Sequence, residues 1–457
     1  MKPPASPRVS LRRRQRASQA PATCAERAVR RVPGDETKPA AVAKVARRFG
    51  VASHATPTRL RGLALLVGAS LLSACTGGSP ILANPPAPRP SIPPPTSRPS
   101  SVPDPLPIEL PRDDGPHDRL TEWWYYTGHL VAGGPQASPV KRTFGFEFVI
   151  FRAERGAFPT SWASHLAITD EVGNAFHFAQ RLEVGSSVDR SPRTADGTPT
   201  GFDLALTGID PTDPSTFDRP AWSMRGSDGL DHLTTAMSGA EATAQGTPRL
   251  GLDLALAARK PPALHDRDGW IEFGPGGGSY YYSRTSMSAT GRLALDDASY
   301  AVDGEAWFDH QWGDFISVGG GGWDWFAINL DDGTDLTLSL VRDADGSYPL
   351  VYGTLVDAQG ASHHLDSSAF TVKATDRWAS PRSGADYPAG WSIAIPGEDL
   401  TIDLRPTVAD QELDTRATTG VVYWEGSQVV TAHRGGATLS GQAYVELTGY
   451  AASGPGA

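Results

Sequence analysis

Hydrophobic and polar residues alternate along most of the chain after His117, with the two-residue period of half-buried β-strands. Residues 142–152 give the clearest run, and their apolar side chains fall on one face at Phe144, Phe146, Phe148 and Ile150. Turn residues at 171–174 (EVGN) and at 331–333 (DDG) separate further pairs of such runs. The pattern therefore predicts many antiparallel strands joined by short turns.

The two halves of this region resemble each other. VDGEAWFDHQWG aligns with LSGQAYVELTGY, so that Gly304, Ala306, Trp307 and Asp309 correspond to Gly441, Ala443, Tyr444 and Glu446. Many strands in duplicate predict an all-β protein with two similar antiparallel barrels or sandwiches. We place the boundary near residues 319–322, within VGGGGW, which gives predicted domains of 113–318 and 319–457.

The N-terminal part has a different character. Residues 1–61 contain 15 Lys or Arg and three acids, and the uncharged run 62–74 (GLALLVGASLLSA) leads to Cys75. This order is typical of a secretory signal, and the apolar run is too short to span a bilayer as a permanent helix. The ending LSAC resembles a bacterial lipobox, so we predict that 1–75 is a basic extension and lipoprotein signal peptide. The proline-rich residues 76–112 then form an extended linker.

We accordingly expect an exported lipoprotein that faces the periplasm or the cell exterior and is held at a membrane by lipid on Cys75. The whole chain has a net charge of −10, so the body that follows the basic segment is strongly acidic. An acidic body argues against nucleic-acid binding through a basic patch. Since the other cysteine, Cys24, precedes Cys75, the body has neither a disulfide nor a thiol nucleophile.

The stretch WFDHQWG (307–313) carries the candidate chemistry. Addition of water to an isolated double bond needs a carboxylic acid with a raised pKa, aromatic faces near the carbocation, and a group that holds water. Asp309 is a candidate acid, and His310 or Gln311 is a candidate for positioning water. Glu122, within EWWYY, is a second acid among aromatic residues.

Strand geometry divides this stretch, because alternate side chains point to opposite faces. One face carries Trp307, Asp309 and Gln311, and the other carries Phe308, His310 and Trp312. Asp309 and His310 therefore cannot both line one barrel interior without a bulge. If His310 lies inside, the acid beside it is Glu122 or Glu147 from a facing strand.

Structural roles remain open for the same residues: Asp309 and His310 as a buried hydrogen-bonded cluster, Glu122 as an ion-pair partner of Arg142 or Arg152, and the tryptophans as core. We predict no metal and no cofactor, since the histidines lack ligand spacing.

Several motifs resemble the AttH-like and carotenoid 1,2-hydratase-like proteins. They are HDRLTEWWYYTGHL, KPPALH, SYYYSRT, WFDHQWGDF, WDWFAINLDDG, YWEG and AYVELTGY, and they extend from about residue 113 to 450. The resemblance implies two tandem lipocalin-like antiparallel β-barrels, with His310 and Trp312 in a cavity. Asp309 would then bridge toward the other barrel or bond a neighbouring strand. The predicted catalytic residues are His310, Asp309 and Glu122. The predicted ligand-binding residues are Trp123, Trp124, Tyr126, Trp307, Gln311, Trp312 and Trp325.

Three functions are compatible with these features. The first is a carrier that binds a hydrophobic lipid or isoprenoid and hands it to an envelope transport partner, which export and anchoring favour. The second is a hydratase-like lyase acting on a long polyene or isoprenoid. A secreted hydrolase is the third, and the chain lacks the Gly-x-Ser-x-Gly motif that would support it. An acid within hydrogen-bond reach of His310 would favour catalysis, whereas a purely apolar cavity would favour carriage.

Overall fold

The computed structural model describes residues 104–133, 141–209, 212–274, 277–315 and 320–451. The predicted signal peptide, Cys75 and nearly all of the predicted linker lie outside these residues. No helix within the described ranges is long and apolar enough to cross a membrane.

Twelve strands form the first antiparallel sheet. They are β1 (Thr121–Ala132), β2 (Arg142–Ala153), β3 (Ser161–Asp170), β4 (Ala175–Val184), β5 (Phe202–Leu206), β6 (Trp222–Ser227), β7 (Leu230–Ala236), β8 (Leu250–Ala258), β9 (Ala263–Leu264), β10 (Trp270–Glu272), β11 (Gly278–Leu295) and β12 (Ala298–Gly313). Their order is β4-β3-β2-β1-β12-β11-β8-β7-β6-β5, with β9 and β10 paired to β11. The sheet curls until β4 contacts β5, which nearly closes a barrel.

Ten strands form the second sheet. They are β13 (Gly320–Leu330), β14 (Asp335–Asp343), β15 (Leu350–Val356), β16 (Ser362–Asp366), β17 (Thr371–Ala374), β20 (Trp391–Ile395), β21 (Leu400–Pro406), β22 (Glu412–Asp414), β23 (Val422–Arg434) and β24 (Ala437–Thr448). A separate hairpin consists of β18 (Arg377–Ala379) and β19 (Asp386–Pro388). The helices are short: α1 (Gly239–Gln245) and 3-10 turns at Arg112–Asp114, Pro214–Thr216 and Pro396–Glu398. The all-β prediction of two antiparallel barrels is confirmed.

Local sequence explains where strands turn and how the repeat packs. The predicted turns lie between β3 and β4, where Asn174 has a φ of 49°, and between β13 and β14, where Gly333 has a φ of 84°. Matching glycines let β12 and β24 approach the first strand of their sheet. A Cβ on Gly304 would lie 2.0 Å from the carbonyl oxygen of His129, and one on Gly441 would lie 2.2 Å from that of Asn329.

Each barrel has its own hydrophobic core, and a third cluster joins the barrels. That cluster combines Tyr125, Val149 and Trp307 of the first barrel with Trp325, Ala327 and Tyr444 of the second. We call this contact the inter-barrel face. Strand alternation thus gives β1, β2 and β12 two buried sides, one in the barrel and one against the neighbouring barrel.

Candidate active site

The inner face of the first barrel brings together residues of β1 and β12. These strands pair with Trp124 opposite His310 and Glu122 opposite Trp312. Tyr126, two residues after Trp124, belongs to the same core cluster as Trp124 and Trp312. The predicted site residues on this face of β1 and β12 are therefore enclosed in the barrel interior. They are Glu122, Trp124, Tyr126, His310 and Trp312.

Glu122 connects two imidazole rings in this interior. Its Oε1 lies 3.0 Å from His310 Nε2 and 2.7 Å from His117 Nδ1. Its two oxygens also accept the backbone N–H of His117, at 3.2 and 3.0 Å. Arg152 Nη1 lies 3.9 Å from Glu122 Oε2, so one of the ion pairs considered from the sequence is present as well. We call His117, Glu122 and His310 the His310 site.

Glu122 stays ionised although it is completely buried. Burial by itself would raise its pKa, but the charge of His117 and hydrogen bonds from both imidazoles lower the pKa to about 2. Burial likewise opposes protonation of His117, but the charge of Glu122 and the hydrogen bonds to Asp113 and Glu122 together outweigh it and raise the pKa of His117. Burial lowers the pKa of His310. The shifts therefore favour an imidazolium–carboxylate pair of His117 and Glu122 beside a neutral His310.

The neutral His310 ring has one donor and one acceptor nitrogen. Because Nε2 faces the Glu122 carboxylate, it carries the proton, and the lone pair is on Nδ1. His310 Nδ1 is buried and has no hydrogen-bond partner within the described ranges. A buried acceptor in this condition is a natural position for a bound water.

Aromatic rings enclose both histidines. Trp312 stacks on His117 with ring centroids 4.0 Å apart, and Trp124 stacks on His310 at 4.7 Å. The edge of Tyr282 meets His310 at 5.6 Å. Because aromatic faces attract cations, this enclosure suits an imidazolium or a transient carbocation.

The same three side chains are the candidate metal ligands of the described chain, since their ligand atoms lie within 4.8 Å of one another. Two histidines and a carboxylate form a set that binds divalent iron or zinc. In the observed geometry, however, the two imidazole nitrogens that face Glu122 donate hydrogen bonds to it. A metal would require both to lose their protons. The absence of a metal therefore stays a prediction.

A second polar cluster lies in the same interior. Arg284 pairs with Asp114 at 2.8 Å, and Tyr282 also donates to Asp114. Tyr126 donates to Asp231 Oδ2 at 2.9 Å. The sequence analysis did not identify Tyr282, Arg284, Asp231 or His117 as site residues. Strand alternation along SYYYSRT could have shown that Tyr282 and Arg284 share a face. Asp231 offered no such signal, because it lies in a polar stretch that resembles a surface turn.

Asp309 lies on the opposite side of β12, at the inter-barrel face. Its carboxylate accepts hydrogen bonds from Tyr281 at 2.6 Å, from Trp307 at 2.7 Å and from Ser283. The indole N–H of Trp325, from the second barrel, donates to Tyr281 at 3.0 Å. Burial raises the pKa of Asp309 to about 6. Asp309 thus connects β12, β11 and the second barrel.

The remaining predicted ligand-binding residues share this side. Trp123 packs beside the inter-barrel face together with Trp307 and Trp325. The Gln311 amide donates to Ser279 on β11 at 2.7 Å. The structure thus separates these residues from Trp124, Tyr126 and Trp312 by the thickness of the sheet.

A serine–histidine contact is present at the same face, but its arrangement differs from that of a hydrolase. His265 Nε2 lies 2.7 Å from Ser283 Oγ, and His265 Nδ1 lies 2.8 Å from Thr354 of the second barrel. The Ser283 hydroxyl donates to Asp309, so its proton points away from His265. In a catalytic triad the acid orients the histidine, which accepts the serine proton. This contact links the two barrels.

Glu147 and Glu425 are buried between the barrels, and Glu446 is partly buried beside them. Tyr423 donates to Glu147 at 2.8 Å, Tyr125 donates to Glu425 at 2.7 Å, and Trp323 donates to Glu446 at 3.0 Å. Burial raises the pKa of Glu147 to about 8 and that of Glu446 to about 7. Of the two acids expected beside His310, Glu122 therefore occupies the position. Glu147, the other alternative, lies on the opposite side of the sheet, where Tyr423 of the second barrel donates to it.

Within the described residues 320–451, the second barrel has no counterpart of the His310 site. The repeat aligns His310 with Leu447, which belongs to the second barrel's hydrophobic core, while Glu446 faces the other barrel as Asp309 does. The polar interior therefore distinguishes the first barrel from the second.

Comparisons with known proteins agree with this architecture. The model of the AttH-like family matches residues 101–450. An AttH protein from Nitrosomonas europaea is 28% identical, with a TM-score of 0.62, and the match covers 77% of this chain and 100% of that one. Kievitone hydratase from Nectria haematococca is 16% identical, with a TM-score of 0.54, covering 75% of this chain and 93% of that one. No curated protein matches the chain.

Proposed function

The chain belongs to the AttH-like family, and from this premise we propose that it is a hydratase-type lyase that adds water to a carbon–carbon double bond of a hydrophobic isoprenoid or polyene. The main support for this proposal is His310 Nδ1, which has no hydrogen-bond partner among the described residues. The ring is held beside Glu122 in a buried aromatic enclosure. The likeness to kievitone hydratase supports the fold, and its name suggests the reaction class.

The His310 site has the parts that the second half of such a reaction needs. After a carboxylic acid protonates one alkene carbon, the other carbon becomes a carbocation, and water bound at His310 Nδ1 attacks it. The water oxygen forms the new C–O bond, and its released proton goes to Nδ1. Glu122 fixes the tautomer of His310 and stabilises the imidazolium that results, as the acid of a catalytic triad does. Each desolvated ring face contributes about 2 kcal/mol to the cation.

A carrier is the second candidate, and one observation favours it. A groove of about 700 Å³ on the first barrel is lined in part by Phe202, Leu230 and Leu256. Apolar lining of this kind suits a hydrophobic ligand whether or not it reacts. The acid within hydrogen-bond reach of His310 is the feature that gives catalysis preference over carriage.

We also propose that the protein is exported and held at a membrane by lipid on Cys75, as the lipobox-like LSAC suggests. An anchored barrel would work next to the membrane in which isoprenoid substrates dissolve.

Product analysis separates the two candidates. The protein purified from its own envelope is analysed by native mass spectrometry and solvent extraction, and is then incubated with prenylated and polyene alkenes. A product heavier by one water supports the hydratase. Release of the bound lipid unchanged, with no hydrated product from any alkene, contradicts it and supports the carrier.

A further inference from the structure

Asp231 is a buried acid of the first barrel that the His310 site does not use. It lies on β7 with 5% of its surface exposed. Tyr126 donates to its Oδ2 at 2.9 Å. Its Oδ1 is buried and accepts no hydrogen bond from any described residue. A carboxyl oxygen in this state either keeps a proton or interacts with a ligand.

The groove of about 700 Å³ reaches this acid. Asp231 lines it together with Phe202, Gly226 and Leu256. Gly226 is required for this arrangement, since a Cβ there would lie 1.9 Å from Asp231 Oδ1 and 2.7 Å from the Phe202 ring. The missing side chain on β6 therefore makes room for the carboxyl group beside an aromatic ring.

The surroundings of Asp231 favour its protonated form. Burial raises its pKa to about 7, and the nearby carboxylate of Asp114 acts in the same direction. The charge of Arg284 and the hydrogen bond from Tyr126 oppose this effect. Arg284 is itself paired with Asp114 at 2.8 Å, so their opposite charges both act on Asp231. The Tyr282 hydroxyl, which also bonds Asp114, faces this acid as well, and Arg190, Asp203, Arg225 and His232 line the same groove.

Asp231 and Glu122 are thus two carboxyl groups of one barrel whose pKa values are shifted in opposite directions. Environments that push two carboxyl pKa values apart mark an acid and a stabilising anion in several hydrolytic enzymes. Both groups connect to the inner face of β1. The hydroxyl of Tyr126 holds Asp231, while Trp124, about 7 Å earlier along the strand, stacks on His310.

We infer that Asp231 is the proton donor of the reaction, acting on the double bond of an isoprenoid chain that enters through this groove. The inference rests on the proposed hydratase function. The proton moves from Asp231 to one alkene carbon, and the π electrons form the new C–H bond. Water held at His310 Nδ1 attacks the other carbon, which is now a carbocation. The proton that this water loses passes through His310 and solvent back to the Asp231 carboxylate. Arg190 and Arg225, which also line the groove, suit a polar head on the chain.

The test compares Asp231→Asn, Asp231→Glu and His310→Leu with an exposed-acid control, Asp297→Asn. Single-turnover hydration and binding of a saturated substrate analogue are both measured. Asp231→Asn is expected to slow hydration by about 10²–10⁴-fold and to leave binding within about threefold. Asp231→Glu should restore part of the rate with a shifted pH profile. The control should match the wild type.

The outcomes separate the two claims. If His310→Leu abolishes hydration while Asp231→Asn keeps the rate within about threefold, the Asp231 assignment is wrong and the hydratase function stands. If the wild type hydrates nothing, the function itself fails and Asp231 has no donor role. If Asp231→Asn does not fold, the pH dependence of the wild-type hydration rate tests the assignment instead. A rate that decreases as the pH rises through about 7 supports Asp231 as donor, and a flat rate there overturns it.

Discussion

Replacing Glu147 with glutamine should make the folded chain more stable than the wild type in alkaline solution. Glu147 is completely buried at the inter-barrel face, and its Oε2 has no hydrogen-bond partner among described residues. Burial raises its pKa from 4.5 to about 8; the nearby Glu446 adds to this, and the hydrogen bond from Tyr423 opposes it. Folding therefore favours the protonated acid.

The sign and size follow from proton linkage. Between pH 4.5 and about 8 the unfolded chain has lost this proton while the folded chain keeps it, so stability decreases as the pH rises. The shift corresponds to about 5 kcal/mol across that window. Above about pH 8, Glu147 is ionised in both the folded and the unfolded chain, and the loss of stability is complete. Glutamine keeps an oxygen for Tyr423 and does not titrate, so this loss disappears.

Chemical denaturation followed by tryptophan fluorescence at a series of pH values provides the assay. The difference in unfolding free energy between Glu147→Gln and wild type should be small near pH 5 and should grow by several kcal/mol toward pH 9, on the order given by the pKa shift. The exposed Glu398→Gln serves as the control and should follow the wild type. Parallel curves for wild type and Glu147→Gln would refute the reasoning.

The other predictions concern the His310 site, the serine–histidine contact and the anchor. Glu122→Gln should lower the hydration rate by about 10²–10⁴-fold, because His310 loses the anion that fixes its tautomer; a change below about threefold in steady-state assays would contradict that role. Ser283→Ala should leave hydration intact and lower thermal stability, and any hydrolytic activity that vanished with this hydroxyl would revive the hydrolase. Cys75→Ser should abolish incorporation of labelled fatty acid in cells, and unchanged labelling would exclude this cysteine as the lipidation site.

Much of the architecture could be predicted because strand alternation is a local property. The two-residue period separates Asp309 from His310, and the repeat pairs Asp309 with Glu446, since both signals depend only on spacing within one strand. The predicted turns at 171–174 and 331–333 follow from local backbone preferences in the same way. Cys75 and the predicted signal lie outside the described residues, so those predictions stay open.

The rest of the site depends on contacts that no local pattern encodes. His117 lies only five residues before Glu122, but it also stacks on Trp312, which is distant in the sequence. Asp231 meets Tyr126 only because the sheet curls and brings β7 opposite β1. Closure of the barrel therefore creates the surroundings that lower the pKa of Glu122 and raise that of Asp231.

The measurement that tests the central claim most directly is hydration in H₂¹⁸O by wild type and by His310→Leu, which copies Leu447 of the second barrel. We expect the wild type to form an alcohol carrying ¹⁸O. His310→Leu should bind the alkene with similar affinity but form the alcohol at least about 100-fold more slowly. Equal ¹⁸O incorporation by both proteins would contradict a water held at His310.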